Sequence, residues 1–296
     1  MHRAIWVLAL LGVTFSTGAL AEDAFGPAPV RPAAHPFHLG ALKLTALHDV
    51  QYVVPNDGKI FGIDSSVSAV SDLLRAAGAP TDRITLSINA LLVRTGGHIV
   101  LIDTGVGAKN HGGLIASLAE DGVKPKAVTD VLITHSHGDH IGGVLDADGH
   151  LAFPKATIRM ASAEWASLQK TGPADLVKAI THHVKTFEPG AKVAPGITSV
   201  ALDGHTPGHV GYEISSKGAH LLAIGDMSHS SIISLAKPEW TMGFDTDKAL
   251  AKKTRQTTLT RLAHDQEFVF SPHFPYPGIG HVVAAGDGFA WQAGNP

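Results

Sequence analysis

The chain has 296 residues, 44% hydrophobic and 17% charged, with a formal net charge of −3. That composition suits one large α/β domain or two small ones, and the lack of any Lys/Arg-rich run removes the electrostatic footprint a nucleic-acid partner would need. Cysteine is absent, so no disulfide or thiolate is available and any metal site must use His and carboxylates; the 19 His make such a site worth seeking.

The N-terminus reads as an export signal. Met1-His2-Arg3 gives a positive start, Ala4 to Phe15 is an apolar run too short to span a bilayer, and Ala19-Leu20-Ala21 is a small-x-small cleavage pattern. Residues 1–21 are expected to be removed and the product exported, in the periplasm; a retained N-terminal anchor is the alternative. Residues 22–36, rich in Pro and Ala, read as an irregular lead-in. Residues 37–296 read as one domain, because no repeat or composition break divides them.

Strands are predicted at Leu42–Leu47, Ser87–Arg94 and Ile99–Asp103, the last two joined by the hairpin turn Thr95-Gly96-Gly97. Val67, Val70, Leu74 and Ala77 share a helical face, stopped by Gly78 and Pro80. Leu114, Ile115, Leu118 and Ala119 form another, closed by Gly122. Further helices are predicted at 161–170, 174–185 and 247–264. Strands interleaved with helices predict an α/β fold, sheets covered by helices.

Four apolar runs each lead into residues with ligand chemistry. Val131–Thr134 precedes His135-Ser136-His137-Gly138-Asp139-His140. Thr198–Leu202 leads through Asp203-Gly204 to His205. Leu221–Gly225 leads to Asp226, and Phe268–Pro272 to His273. Sites in α/β architectures lie beyond the carboxyl ends of strands, where loops vary without disturbing the core. His135 and His137, two apart, point to one side of an extended segment, and Gly138 permits a sharp turn. One short loop can therefore present three imidazoles and a carboxylate, good ligands for zinc and similar divalent ions.

These residues resemble the metallo-β-lactamase superfamily. Thr134-His135-Ser136-His137-Gly138-Asp139-His140 matches its signature loop; Gly204-His205-Thr206-Pro207-Gly208-His209, Gly225-Asp226, His273 and the earlier Leu101-Ile102-Asp103-Thr104-Gly105 match its other motifs. The resemblance implies an αβ/βα sandwich, two facing sheets with helices outside and a site at one edge. It implies that His135, His137 and His205 hold one metal, that Asp139, His140 and His273 hold the second, and that Asp226 bridges both. Asp103 would orient ligand imidazoles through hydrogen bonds. His209 would either support His205 or be a satisfied structural residue. Two divalent ions per chain are expected, Zn²⁺ first, with Mn²⁺, Co²⁺ or Fe²⁺ as alternatives.

Within the superfamily, the true β-lactamases carry Cys or Ser where this chain has Asp226. Flavodiiron proteins replace one His of the first loop, ribonuclease Z-like members need a nucleic-acid grip, and glyoxalase II has a glutathione-binding extension with no counterpart motif here. The nearer resemblance is to exported methyl parathion hydrolase-like and N-acyl homoserine lactonase-like enzymes, through Ser87–Val93, Gly225-Asp226-Met227-Ser228-His229, Pro238-Glu239-Trp240, Phe244-Asp245-Thr246-Asp247 and Ser271–Pro275.

The expected reaction is attack by a metal-bridged hydroxide on a neutral ester-type bond: phosphotriester, lactone or aryl ester. Asp139 or Asp226 is the candidate proton acceptor. Candidate pocket residues are Tyr52, Phe61, Trp165, Phe187, Trp240, Phe244, Phe274 and Tyr276, with core packing the alternative for each. Gln51–Asp64 is available to overhang the site, and His229 to touch substrate or lie behind the ligands. The expected partner is a small molecule, with no nucleic acid and, after signal cleavage, no membrane; a homodimer is left open. Two other readings remain: a periplasmic metal-binding protein without turnover, and a β-lactam-hydrolysing member.

Overall fold

The computed structural model describes residues 25–296; the expected signal segment, residues 1–21, lies outside them. Two sheets face each other. The first contains β1 (Gly26–Ala28), β2 (Ala33–Leu39), β3 (Leu42–Pro55), β4 (Arg83–Thr95), β5 (His98–Ile102), β6 (Asp130–Leu132), β7 (Thr157–Ala161) and β8 (Val184–Phe187). Its order is β1-β3-β4-β5-β6-β7-β8, with β2 also paired to β3. The second contains β9 (Lys192–Ala194), β10 (Ile197–Ala201), β11 (Val210–Ser216), β12 (Ala219–Ala223), β13 (Phe268–Phe270), β14 (Ile279–Ala285) and β15 (Gly288–Ala293), in order β15-β14-β13-β12-β11-β10-β9. The helices are α1 (Val67–Ala76), α2 (Leu114–Glu120), α3 (Gly138–Ile141), α4 (Ser162–Thr171), α5 (Ala174–Ile180), α6 (Ile233–Ala236) and α7 (Lys248–Asp265).

The central strands are apolar on both faces because both faces are covered. In β4, Leu91 and Val93 point between the sheets, where they pack with Ile102, Leu132, Ile197, Val210, Ile214 and Leu221. Their neighbours Ala90 and Leu92 point outward with Leu101, Val131 and Ile133, under Leu118 of α2, Leu168 of α4 and Ile180 of α5. The outer face of the second sheet, including Leu222 and Val269, is covered by Leu259 and Leu262 of α7. The result is the four-layered αβ/βα sandwich expected from the sequence.

Three sequence expectations are corrected. The lead-in at 22–36 is not irregular: β1 and most of β2 fall in it. Proline lacks a donor and is confined to edge positions, and both strands are short edge elements laid against β3, with Pro27 opposite Tyr52 and Pro36 opposite Thr45. The helix predicted at 174–185 ends at Ile180, and the chain re-enters the first sheet as β8, parallel to β7. The overhang expected from Gln51–Asp64 begins later, because β3 runs on to Pro55.

A register shift between His48 and Val50 leaves Asp49 outside the β3–β4 ladder. Such a bulge re-aims a side chain. The Asp49 carboxylate turns under the loop after β5 and accepts hydrogen bonds from the backbone N–H groups of Val106 (2.7 Å) and Leu114 (2.8 Å). Gly105, at φ +68°, is required there, since a Cβ would overlap that carboxylate.

A buried side-chain hydroxyl also helps to tie the sheets. Tyr212 of β11 donates its hydroxyl to the carbonyl of Ile133 (2.7 Å), just ahead of the His-rich loop. Tyr212→Phe should cost about 1–3 kcal/mol, the price of leaving a buried carbonyl unpaired. Urea denaturation should show this as a lower midpoint at unchanged slope; an unchanged midpoint would mean the contact contributes nothing.

Candidate metal centre

The seven ligand positions named from the sequence converge. His135, His137, His205 and Asp226 form one group and Asp139, His140 and His273 another, each with ligand atoms mutually within 4.8 Å. Asp226 faces both. Its Oδ1 lies 3.1 Å from His140 Nε2 and 3.0 Å from His273 Nε2; its Oδ2 lies 3.6 Å from His135 Nε2 and 3.4 Å from His205 Nε2. Asp139 Oδ2 lies 3.6 Å from both His140 Nε2 and His273 Nε2.

The outward nitrogens explain why the inward ones are free to bind a cation. His140 Nδ1 donates to Asp103 Oδ2 (2.8 Å), His205 Nδ1 to Asp245 Oδ1 (3.0 Å), and His273 Nδ1 to the carbonyl of Ser87 (3.0 Å). Thr134 spends its own hydroxyl proton on Asp103 Oδ2 (2.8 Å), so its oxygen accepts from His135 Nδ1 (3.1 Å). A neutral imidazole that donates on one side offers a lone pair on the other. His205 Nε2 accordingly meets His135 Nε2 at 3.2 Å and His137 Nδ1 at 3.0 Å, nitrogens that repel unless a proton or a cation lies between them. His140 Nε2 and Asp226 Oδ1 are buried without a hydrogen-bond partner. Inward lone pairs, orphaned buried atoms and a shared carboxylate fit divalent cations.

The electrostatics agree. Burial pushes His135 well below the usual imidazole range and His205 down to about 3, so both are neutral near pH 7. Burial also opposes charge on Asp226, but His140, His273, His135 and His229 outweigh it and hold the carboxyl well below its usual range. Burial disfavours a charged His140, while Asp226, Asp139 and Asp103 outweigh it and raise its pKa. A cation in this group therefore competes with a proton.

Asp103 occupies the orienting position expected of it. Its backbone sits at φ +60°, and its carboxylate also accepts from Thr134 N (2.8 Å). His209 does not hydrogen-bond His205. Its Nδ1 donates to the Leu202 carbonyl (2.8 Å) and its Nε2 accepts from Asp226 N (2.9 Å), so it fixes the backbone of the shared carboxylate. His229 is buried beside the cluster, its Nε2 3.2 Å from Asp226 Oδ2 but not aligned to bond it, and both its ring nitrogens lack partners.

A cleft of about 560 Å³ opens over this cluster, lined by Tyr52, Leu86, Ile88, Val106, Phe244 and Pro27 together with His137, Asp139, Asp226, His229 and His273. Of the aromatic candidates, Tyr52 and Phe244 line it. Phe61 does not: it is buried with Val70, Leu74 and Met242, and Trp240 packs on the same cluster. Trp165 packs behind the first sheet. Phe187 and Tyr276 pack on the core between the sheets, and Phe274 under α7. Their apolar area serves packing.

Two partners escaped the sequence reading. Glu164, at the start of α4 and fully buried, accepts from Ser136 N (2.8 Å) and Oγ through one oxygen, and from Thr206 Oγ1 (2.7 Å) and Gly208 N (3.0 Å) through the other. It clamps the His135–His140 loop to the His205 loop. Gly208 is glycine because a Cβ would overlap the Glu164 backbone. Asp245, which holds His205, lies 40 residues away in sequence; only its place in the resemblance segment Phe244–Asp247 pointed to it. A third convergence, Asp146, Asp148 and His150, is accounted for as a turn: Asp146 Oδ1 accepts from the backbone of both others.

Comparison with known proteins places the fold. A solved structure of AidC, a dizinc quorum-quenching lactonase in complex with a product N-hexanoyl-L-homoserine, superposes with a TM-score of 0.83 at 29% identity, covering 89% of this chain and 98% of that one. Hydrolase AbOPH of the beta-lactamase superfamily gives 0.80 at 29% identity, covering 88% and 97%. Among curated proteins, the atrochrysone carboxyl ACP thioesterase of Aspergillus fumigatus is 33% identical over 177 residues, 56% of this chain and 36% of its own length. The hydroxyacylglutathione hydrolase of Xanthomonas oryzae pv. oryzae is 29% identical over 122 residues, 41% of this chain and 40% of its own. The chain thus spans well under half the length of these curated relatives. The profile of the metallo-beta-lactamase superfamily matches residues 83–273, the segment that carries all seven converging side chains, and the chain belongs to that superfamily of hydrolases.

Proposed function

We propose that this chain is a dinuclear metal-dependent hydrolase of neutral ester-type bonds, with lactones and other carboxylic esters first and phosphotriesters next. The observation that carries it is Asp226, whose carboxylate is shared at the floor of an apolar cleft: Oδ1 faces His140 and His273, and Oδ2 faces His135 and His205 as well as His273. His135, His137 and His205 would hold one divalent cation and Asp139, His140 and His273 the other, with Asp226 shared and Zn²⁺ the first expectation. Bound there, two such cations supply the acidity that ionises water near neutral pH and the charge that polarises an acceptor oxygen.

The protein's own groups do the rest. Asp103, Asp245, Ser87 and Thr134 fix the imidazoles. The walls formed by Tyr52, Leu86, Ile88, Val106 and Phe244 bury the apolar part of a substrate and exclude water from the reacting bond. No Lys or Arg is among the lining residues, so an anionic substrate gains nothing from the walls and a neutral one loses nothing. His229, buried with both nitrogens unpartnered, is placed to donate a hydrogen bond to a substrate oxygen. Asp139 and Asp226 both reach the cleft, and either can take the proton that leaves the attacking water. The likeness to a dizinc lactonase supports the carbonyl side of this reading.

The first test is a panel of acyl lactone, aryl ester, phosphotriester and nitrocefin after loading with Zn²⁺, Mn²⁺ or Co²⁺. Clear turnover of an ester-type compound with little of nitrocefin is expected. Nitrocefin turned over far faster than every ester would mean a β-lactamase instead, and metal bound without any turnover would mean a binding protein.

Asp226→Ala tests the two-cation arrangement. It removes one ligand from each group and the negative charge between them. Elemental analysis should show loss of at least one ion, turnover should fall by more than about 100-fold, and circular dichroism should be preserved, since Asp226 lies beyond the end of β12. Two ions retained with near-wild-type turnover would falsify the shared role.

A further inference from the structure

Helix α7 is polar along most of its length, yet it buries one arginine completely. Arg255 is 0% exposed. Its Nε donates to the Pro238 carbonyl (3.0 Å), its Nη2 to the Trp240 carbonyl (3.1 Å) and its Nη1 to the Met227 carbonyl (3.3 Å). Both Nη atoms also lie 3.5 Å from Asp245 Oδ2. Packing alone does not call for a guanidinium here. A leucine or methionine would fill a buried helix position without the cost of desolvating a charge.

The four acceptors come from three places that matter to the cleft. Met227 follows the shared carboxylate Asp226. Pro238 and Trp240 start the segment that ends in Phe244, a cleft wall. Asp245 turns its other oxygen to His205 Nδ1, 3.0 Å away. Arg presents its donors in a rigid planar fork, whereas Lys carries one rotating ammonium, so a single arginine can tie these segments at fixed mutual distances. Burial works against its charge, and the Asp245 carboxylate offsets that.

We propose that Arg255 is a positioning residue. Through Asp245 it fixes the tautomer and orientation of His205, and through the three carbonyls it fixes the backbone after Asp226 and the cleft wall that ends at Phe244. It touches neither cation nor substrate. The inference rests on the two-cation reading for its metal readout, but the His205 tautomer can be measured without any metal.

Three variants of the full chain decide it: Arg255→Met, which keeps the volume; Arg255→Lys, which keeps the charge but not the fork; and Asp245→Ala. In the metal-free protein, nitrogen-15 NMR of the histidine rings should show His205 as the single Nδ1-protonated tautomer in wild type and as a mixture in Arg255→Met. On loading with Zn²⁺, chelator competition should show one of the two ions weakened about 10- to 100-fold in Arg255→Met, and less in Arg255→Lys. KM should rise as the Phe244 wall loosens. Arg255→Met and Asp245→Ala should be non-additive in Zn²⁺ affinity, because they act along one path.

A variant that only melts earlier, with wild-type His205 tautomer, ion affinities and KM, would overturn the proposal and leave Arg255 a purely structural residue. If Arg255→Met does not fold, Arg255→Lys decides by the same three readouts, and wild-type values there overturn it equally. If wild type binds no Zn²⁺, the two-cation reading fails, while the His205 tautomer still decides for or against Arg255.

Discussion

An imidazole can offer a lone pair to a cation only while its other nitrogen keeps the proton. Four of the clustered histidines meet that condition through four different acceptors: a carboxylate for His140, another for His205, a backbone carbonyl for His273 and a threonine oxygen for His135. Those acceptors are scattered through the chain, and the fold exists in large part to bring them behind the ligands. Asp103 reaches His140 from just beyond β5, its own backbone held at positive φ. Ser87 is reached because β4 continues its pairing past the sheet, with Ser87 N donating to His273 O and Asn89 N to Pro272 O. The sheets therefore supply both the strand ends that carry ligands and the backbone that orients them.

A second layer of buried charge holds the first. Glu164 joins two ligand loops, Asp49 anchors the loop that walls the cleft, and Asp245 passes from His205 to Arg255. Each is an ionised or ionisable group spending its acceptors on backbone or ligand donors, the circumstance in which burial of a carboxylate is tolerated. Asp49 shows the opposing pulls: burial pushes its carboxyl up, and the bonds from Val106 and Leu114 oppose that without cancelling it.

This division explains what could be read from the residues alone. The convergence of the candidate ligands was legible: close spacing marks His135 to His140, and the ends of apolar runs mark His205, Asp226 and His273. Sheets covered by helices followed from the interleaved apolar runs, and the sandwich from the family resemblance. Of the supporting carboxylates, Asp103 was legible through its motif, but Glu164 and Asp49 were not, because their partners lie tens of residues away and nothing near either marks it as buried. The aromatic residues misled for a related reason. Phe61 and Trp165 carry no local sign of which surface they will cover, and packing claimed them. The proline-rich start misled because proline signals an edge as readily as a loop.

The cleft walls and the ligands come from different segments. Pro27 of β1, Tyr52 of β3, Leu86 and Ile88 of β4, and Val106 form most of the walls, and none of these is a ligand or hydrogen-bonds one through its side chain. Side chains there can change without moving the seven ligand positions. Proteins similar to this chain are described as a lactonase, a thioesterase and a hydroxyacylglutathione hydrolase, and one fold can host such different substrates when its walls vary. Leu86 and Ile88 flank Ser87, whose carbonyl holds His273, and Phe244 is tied more closely still. It adjoins Asp245 and lies on the segment gathered by Arg255, so a change of wall at that position is transmitted toward His205. Of the cleft's walls, this one is the least free to vary, and the side chain that restrains it acts from behind the site, since Arg255 is not among the residues that line the cleft.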